Sequence, residues 1–345
     1  MLAKLSSWVA ARWSKGLRLV AGGWALRLAG TALGVPGFYI ARSGLDADQW
    51  SGVVHLVWWL RELGGVAAFM VGLRAFRIGR RLVVRGRQCA AAVIDSFDAL
   101  AGTVYVLYLR PFSNDADMAA LNSDFPGGTS LASLGMLFLL SGKTQEEQLV
   151  RRFGRFGRVI AVGRPDELLP PVGAVRGQLP LDDWQGTVSS LIDGAHVVLM
   201  SAGPGPGTVW EFTEAVRRLP PTRLVLLIYC DAATYERFRE AVAVEYERRL
   251  RAEPQAPRSG CPPLPALPDY PPLARGPYRP RYETWLGWGR LRWDFVLKGV
   301  VVFDQDWTAT FTRFDPTARR WLPGLVIRRE LRPVLEKLDV LEPRN

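Results

Sequence analysis

Apolar positions along the chain fall first into two long runs. Residues 19–41 read LVAGGWALRLAGTALGVPGFYIA, and Arg27 is the only charge among them. Residues 50–73 read WSGVVHLVWWLRELGGVAAFMVGL, broken by the adjacent Arg61 and Glu62. A bilayer-spanning helix needs about 20 apolar residues, and each mid-span charge costs about 2.5–3.5 kcal/mol. The two runs reach that length if their charges are tolerated. Lys4, Arg12, Lys15 and Arg18 precede the first run, and Arg74, Arg77, Arg80, Arg81, Arg85 and Arg87 follow the second. Cationic flanks stay on the cytoplasmic side. The pattern therefore predicts two transmembrane helices over 19–74 (about 19–41 and 50–73), in a two-pass protein of the inner or plasma membrane. Both termini are cytoplasmic in this reading, and the lipid bilayer is a partner. Residues 1–18 read as an amphipathic lead-in, and 75–100 as a basic juxtamembrane linker.

The texture changes near residue 101. Short runs, apolar on both faces, recur at 103–109, 158–163, 196–202, 223–229 and 299–304. Such runs suit a buried parallel sheet. Patterns with helical spacing separate them: TQEEQLVRRFGRF, opened by a Thr144 and Glu147 capping box, then DDWQGTVSSLIDGA, TVWEFTEAVRRL and DAATYERFREAVAVEYERRLRA. The expected fold class is α/β: a transmembrane helical hairpin followed by a doubly wound, mainly parallel five-stranded sheet. The sheet domain covers 101–252. Prolines crowd a loop over 253–282, and 283–345 supplies the last strand and a C-terminal extension. Two insertions stand apart. Residues 118–143 hold the apolar SLASLGMLFLLSG, and RYETWLGWGRLRWDF interleaves tryptophans with arginines.

Composition narrows the chemistry. Of 345 residues, 48% are apolar, enough for a substantial core, and the net charge is +11. Most of the excess cation lies beside the two apolar runs, so the charge is accounted for without nucleic acid. Cys89, Cys230 and Cys261 are widely spaced and form no disulfide or zinc pattern. His55 and His196 have no second ligand at metal-binding spacing, so neither a metal nor a resident cofactor is expected.

Ligands of doubly wound sheets bind beyond the carboxyl ends of the strands. Three successive strand ends here carry ligand-type residues. The first reads YLRPFSNDAD, with Arg110 and Phe112. The second reads GRPDELLPPVGAVR, with Gly163, Arg164 and Arg176. The third reads HVVLMSAGPGPGTVWEFTEA, with Gly205, Gly207, Thr208, Trp210, Glu211 and Glu214. Glycines let a ligand approach the backbone, and a helix N-terminus favours phosphate. Thr208 reads as the N-cap, which puts Glu211 at the third helical position, where an acidic residue also serves as a plain cap.

These residues resemble the TIR-like domains of bacterial membrane proteins, in which two transmembrane helices precede a cytoplasmic TIR-like, flavodoxin-like fold. Leu109-Arg110-Pro111-Phe112, Gly163-Arg164-Pro165 with Leu169-Pro170, and Trp210-Glu211 carry the likeness, which spans about 17–230. GTVWEFTEA is also similar to the stretch of nucleoside 2-deoxyribosyltransferases whose glutamate attacks the sugar. GPGTVWE resembles the turn of the Lonely Guy phosphoribohydrolases, without the arginine-lysine pair those enzymes carry upstream. All three families break or exchange an N-glycosidic bond, and active TIR domains do so on NAD.

The resemblance implies a site with Glu211 or Glu214 as the catalytic carboxylate. The deoxyribosyltransferase alignment selects Glu211. Counting four residues from Trp210, as in many TIR domains, selects Glu214. Arg110, Phe112, Gly163, Arg164, Gly205, Gly207, Thr208 and Trp210 would bind the substrate. The resemblance further implies hydrolysis of NAD or a related nucleotide, NAD being substrate rather than cofactor, in a defence or signalling effector that self-associates through its TIR-like domain. A non-catalytic assembly module and a nucleoside-processing enzyme are the alternatives.

Overall fold

A computed structural model describes residues 2–43, 58–91, 93–94, 96–111, 118, 143–163, 172–179, 183–252, 262–273, 290–292, 296–314, 317–319 and 323–341. The chain divides into two compact units. The first contains helices α1 (Leu2–Ser43) and α2 (Trp58–Cys89). The lead-in thus continues into the first apolar run as one helix, and the arginines after residue 74 prolong α2 rather than forming a linker.

The predicted membrane hairpin is corrected here. Among the described residues, no helix is long and apolar enough to cross a membrane. The physical reason is composition. In α2 the uncharged run between Glu62 and Arg74 is only 63–73, against the roughly 20 residues a span requires. In α1, Arg27 and Pro36 interrupt the run, and glycine and alanine dilute its hydropathy.

What holds the two helices together is a glycine seam. Gly16, Gly23, Gly30 and Gly37 recur every seventh residue on α1, as do Gly65, Gly72, Gly79 and Gly86 on α2. The antiparallel helices match them in pairs: 16 with 86, 23 with 79, 30 with 72, and 37 with 65. A Cβ at any of the eight would stand 2.5–3.0 Å from the carbonyl oxygen of its partner glycine. The backbones therefore touch, in the geometry that permits Cα–H···O contacts, and the seven-residue repeat keeps the seam in register as the helices supercoil. Beside the seam Phe69, Leu73 and Phe76 pack with Val35 and Phe38, while other large apolar side chains, Leu17, Leu28, Leu63 and Val71, are exposed. Arg27 is buried beside the seam, its guanidinium 4.2 Å from the Trp24 ring centroid and 5.2 Å from that of Phe76.

The second unit is α/β. Its strands are β1 (Val93–Ile94), β2 (Tyr105–Leu109), β3 (Arg158–Gly163), β4 (Val175–Gln178), β5 (Val197–Ser201), β6 (Leu224–Ile228), β7 (Arg290–Arg292), β8 (Gly299–Phe303), β9 (Ala309–Arg313) and β10 (Thr317–Arg319). Helices α3 (Gln145–Phe153), α4 (Trp184–Gly194), α5 (Pro206–Arg218), α6 (Ala232–Ala252) and α7 (Pro323–Asp339) connect or follow them. Among the described residues the main sheet has eight strands in the order β1-β4-β3-β2-β5-β6-β8-β9, and β7 and β10 form a separate antiparallel pair. The sheet is therefore mixed, not the five-stranded parallel one expected. Strands β1 through β6 run parallel, whereas β8 pairs antiparallel with β6 and β9 antiparallel with β8.

All five runs identified by hydropathy are strands. β2, β5, β6 and β8 are buried throughout, because layers cover both of their faces. Val198, Met200, Leu226 and Ile228 on one face pack with Phe212 of α5 and Phe238 of α6. The proline-rich residues 262–273 have no regular structure but close over this layer. Leu267 joins the core, Tyr235 donates to the Pro268 carbonyl at 3.1 Å, Tyr270 donates to the Cys230 carbonyl at 3.2 Å, and Arg313 donates to the Pro271 carbonyl at 2.6 Å. Proline leaves its carbonyl free to accept such bonds while offering no N–H that would need a partner.

The seam sets the first test. Gly30→Val or Gly72→Val forces a side chain into the opposing backbone and opens the hairpin. Gly22→Ala and Gly64→Ala, with open space around the added methyl, leave it closed and add up to about 1 kcal/mol of helix propensity each. Limited proteolysis of 1–91 separates the two groups. Equal protease resistance for Gly30→Val and Gly22→Ala contradicts the seam.

Candidate functional site

Chain direction across the sheet reverses between β2 and β5. From β2 the chain moves outward to β3 and β4, and from β5 it moves the other way to β6. A crevice opens at the carboxyl ends of the strands at such a reversal. Two loops leave the sheet there. Arg110-Pro111 follows β2 and Ala202-Gly203-Pro204 follows β5. They lie close enough that a Cβ on Gly203 would stand 3.4 Å from Pro111 Cγ.

Helix α5 begins at this crevice. Its N-cap is Gly205, in extended conformation and with no side-chain cap, and Pro206 occupies the first helical position. Thr208 is thus the third helical residue, not the N-cap, and Glu211 lies in the second turn rather than at N3. Proline suits the first position because its missing N–H would have had no acceptor there. The N–H groups of Gly207 and Thr208 belong to the first turn, whose donors point out of the helix.

The two glutamates differ in every respect that matters to chemistry. Glu214 is buried. Ser189 of α4 donates to its Oε1 at 2.8 Å, Arg249 of α6 donates to its Oε2 at 2.8 Å, and Arg218 also pairs with Oε1. Burial by itself would raise its pKa, but the bonds from Ser189 and Arg218, the Arg218 charge and the Arg249 bond outweigh it, and the carboxyl sits below its usual value. Glu211 is half-buried. Desolvation pushes its carboxyl up to about 8, with no cation opposing the shift. Among the described residues, nothing donates a hydrogen bond to it or pairs with it. A carboxyl with a strongly raised pKa marks a candidate for a reactive group.

Beside the start of α5 lies a cleft of about 750 Å³ whose walls include Trp184, Gln185, Pro206, Gly207, Trp210 and Arg248. The Trp184 and Trp210 rings meet edge to face with centroids 5.0 Å apart. The Arg249 guanidinium lies 4.9 Å from the Trp210 centroid and donates to the Trp210 carbonyl at 3.3 Å.

Arg110 has a different environment from the one its sequence position suggests. It is buried and pairs with the fully buried Glu146 of α3 at 2.9 Å. Glu146 also takes a 2.9 Å contact from Arg176 of β4 and a 2.9 Å hydrogen bond from the Ala174 N–H. Gly173, at φ +150°, lets the backbone pass beneath this carboxylate, since a Cβ there would lie 2.6 Å from Glu146 Cγ. Arg110 is thus built into a structural ion-pair group. Gly163 closes β3, in register with Gln178 of β4. Phe112 and Arg164 lie outside the described residues. Of the residues expected at the third strand end, Gly207 and Trp210 line the cleft; Gly205 caps the same helix, and Thr208 and Glu211 follow in its first and second turns. The residues that pattern reading misses are Glu146, Trp184, Ser189 and Arg249. No motif marks them, because each meets its partner across at least 25 residues of chain.

Compared with known protein families, with curated proteins and with solved structures, the chain shows no match.

The desolvated Glu211 makes stability depend on pH. Below its ordinary value of 4.5 both folded and unfolded chains carry the proton. Between 4.5 and about 8 the unfolded chain releases it while the folded chain keeps it, so stability falls as pH rises through that window. Glu211→Gln removes the effect. The Tm of the variant is expected to match wild type near pH ~4 and to exceed it increasingly up to pH ~8. A Tm difference independent of pH contradicts the desolvated carboxyl.

Proposed function

We propose that the α/β unit cleaves the N-glycosidic bond of NAD or a related nucleotide, with Glu211 as the carboxylate at the ribose. The observation that carries the reading is an unpartnered, desolvated glutamate in the helix that starts at the strand-reversal crevice. The central order β3-β2-β5-β6-β8 supports the TIR-like, flavodoxin-like reading. Taken as successive strands, these follow the doubly wound order 2-1-3-4-5. The last strand runs antiparallel, and β4 and β1 extend the edge beyond β3.

Each part of such a substrate has a suitable counterpart. The first-turn N–H groups at the start of α5 suit phosphate oxygens. The Trp184–Trp210 wall suits a planar base, which stacks on aromatic faces whatever its sequence of ring atoms. Cleavage breaks the bond between the ribose anomeric carbon and the base nitrogen. The electron pair leaves with the base, which for a pyridinium becomes neutral nicotinamide. The ribose is left with oxocarbenium character, and water adds to the anomeric carbon and gives its proton to solvent. A carboxylate beside that carbon stabilises the cation as it forms. With its carboxyl raised to about 8, Glu211 favours the protonated form at neutral pH. An arriving pyridinium cation favours the ionised form, so binding itself generates the active carboxylate and releases a proton.

The test is NAD consumption by full-length protein, wild type beside Glu211→Gln. The wild type is expected to release nicotinamide, with kcat/KM rising with pH and levelling off above about 8, the free-site value. Glu211→Gln is expected to lower kcat by at least about 100-fold. A folded wild type that binds other copies of itself but leaves NAD intact would instead favour a non-catalytic assembly module.

A further inference from the structure

We propose that Glu214 and Arg249 are positioning residues. They hold Trp210 against Trp184 and so fix the wall of the cleft at the start of α5. The proposal rests on the nucleotide reading above, but its geometry stands apart from it. Helices α4, α5 and α6 contribute one member each: Ser189, Glu214 and Arg249. Both oxygens of Glu214 are occupied, Oε1 by Ser189 and Arg218 and Oε2 by Arg249.

Arg249 is equally committed. Its Nε donates to Glu245 Oε1 at 2.9 Å, one terminal nitrogen to Glu214 and the other to the Trp210 carbonyl. Its planar fork is thereby fixed with the guanidinium carbon 4.9 Å from the Trp210 ring centroid. The indole of Trp210 also meets the Trp184 ring. A half-buried indole facing an open cleft has rotamer freedom to lose on binding a base, and this arrangement removes that freedom beforehand. Glu211 and Glu214 are three positions apart on α5, yet one has no partner among the described residues and the other takes three. Glu214 therefore acts on a ligand through Arg249 and Trp210, not by contact.

The experiment uses full-length protein with NAD as the probe. It reads KM and kcat together with the exciton couplet that paired indoles give in far-ultraviolet circular dichroism, isolated by subtracting Trp210→Phe. Arg249→Met, which deletes the fork, is expected to raise KM about ten-fold, leave kcat within about two-fold and weaken the couplet. Arg249→Lys retains the charge without the planar fork and is expected to fall between. Glu214→Gln is expected to move KM in the same direction by less. With Trp210→Leu already present, Arg249→Met is expected to add nothing further to KM, as a coupled pair requires.

Loss of kcat at unchanged KM in Glu214→Gln would overturn the proposal, because it would make Glu214 the reacting carboxylate. Additive effects of Arg249→Met and Trp210→Leu would overturn it too. A wild type that does not turn over NAD ends the nucleotide reading alone. In that case the couplet still decides the positioning role, which is refuted if Arg249→Met and Arg249→Lys both keep the couplet at wild-type strength.

Discussion

Removing a carboxylate from water costs several kcal/mol unless cations and N–H donors replace the lost hydration. That constraint organises the rim of the sheet. Glu146 meets it with Arg110, Arg176 and the Ala174 N–H, tying α3 to β2 and β4. Glu214 meets it with Ser189, Arg218 and Arg249, tying α4, α5 and α6 to one another. With these two groups satisfied, the helices over the crevice have fixed places. Glu211 then occupies a site where the cost is not met, and its raised pKa is the consequence. An unsatisfied group on a rigid frame has chemistry available to it that a satisfied one lacks.

The helical hairpin obeys a different constraint, the distance between two backbones. Glycine at every seventh position lets α1 and α2 approach until carbonyl oxygens occupy the space a Cβ would need. Close approach sets the register together with the packing of Phe69, Leu73 and Phe76 against Val35 and Phe38, since only one pairing sets all eight glycines opposite one another. Leu17, Leu28, Leu33 and Leu63 are left exposed, outside the packed cluster. High apolar content in this segment thus coexists with helices too charged and too rich in small residues to span a bilayer.

Much of the α/β unit was legible in the sequence. Runs such as VVLM and LVLLI are apolar at every position, and only a strand covered on both faces needs that. The outer strands were not legible: VRGQ of β4 has no such run, and the edge strand β1 spans only Val93 and Ile94. Strand direction was equally hidden. GVVVF reads the same in either sense, and its antiparallel pairing with β6 follows from a connection whose path hydropathy does not encode. At the site, the glycine turn and the two glutamates stood out locally, but their partners did not. Ser189 and Arg249 lie 25 and 35 residues from Glu214, and Glu211 and Glu214 look alike until those partners are placed. The glycine heptads were visible throughout. Mean hydropathy counts residues without regard to spacing and does not register them.

The account turns on the contrast between neighbouring carboxyls on one helix, and direct titration measures that contrast. Carbon-13 labelling of glutamate side chains, with Glu211→Gln and Glu214→Gln assigning the two signals, follows each carboxyl by NMR as pH is varied. The account predicts a Glu211 signal that titrates near pH 8 and a Glu214 signal that stays ionised below the ordinary carboxylate range. A Glu211 signal titrating with the exposed glutamates, or a Glu214 signal titrating above them, would contradict it.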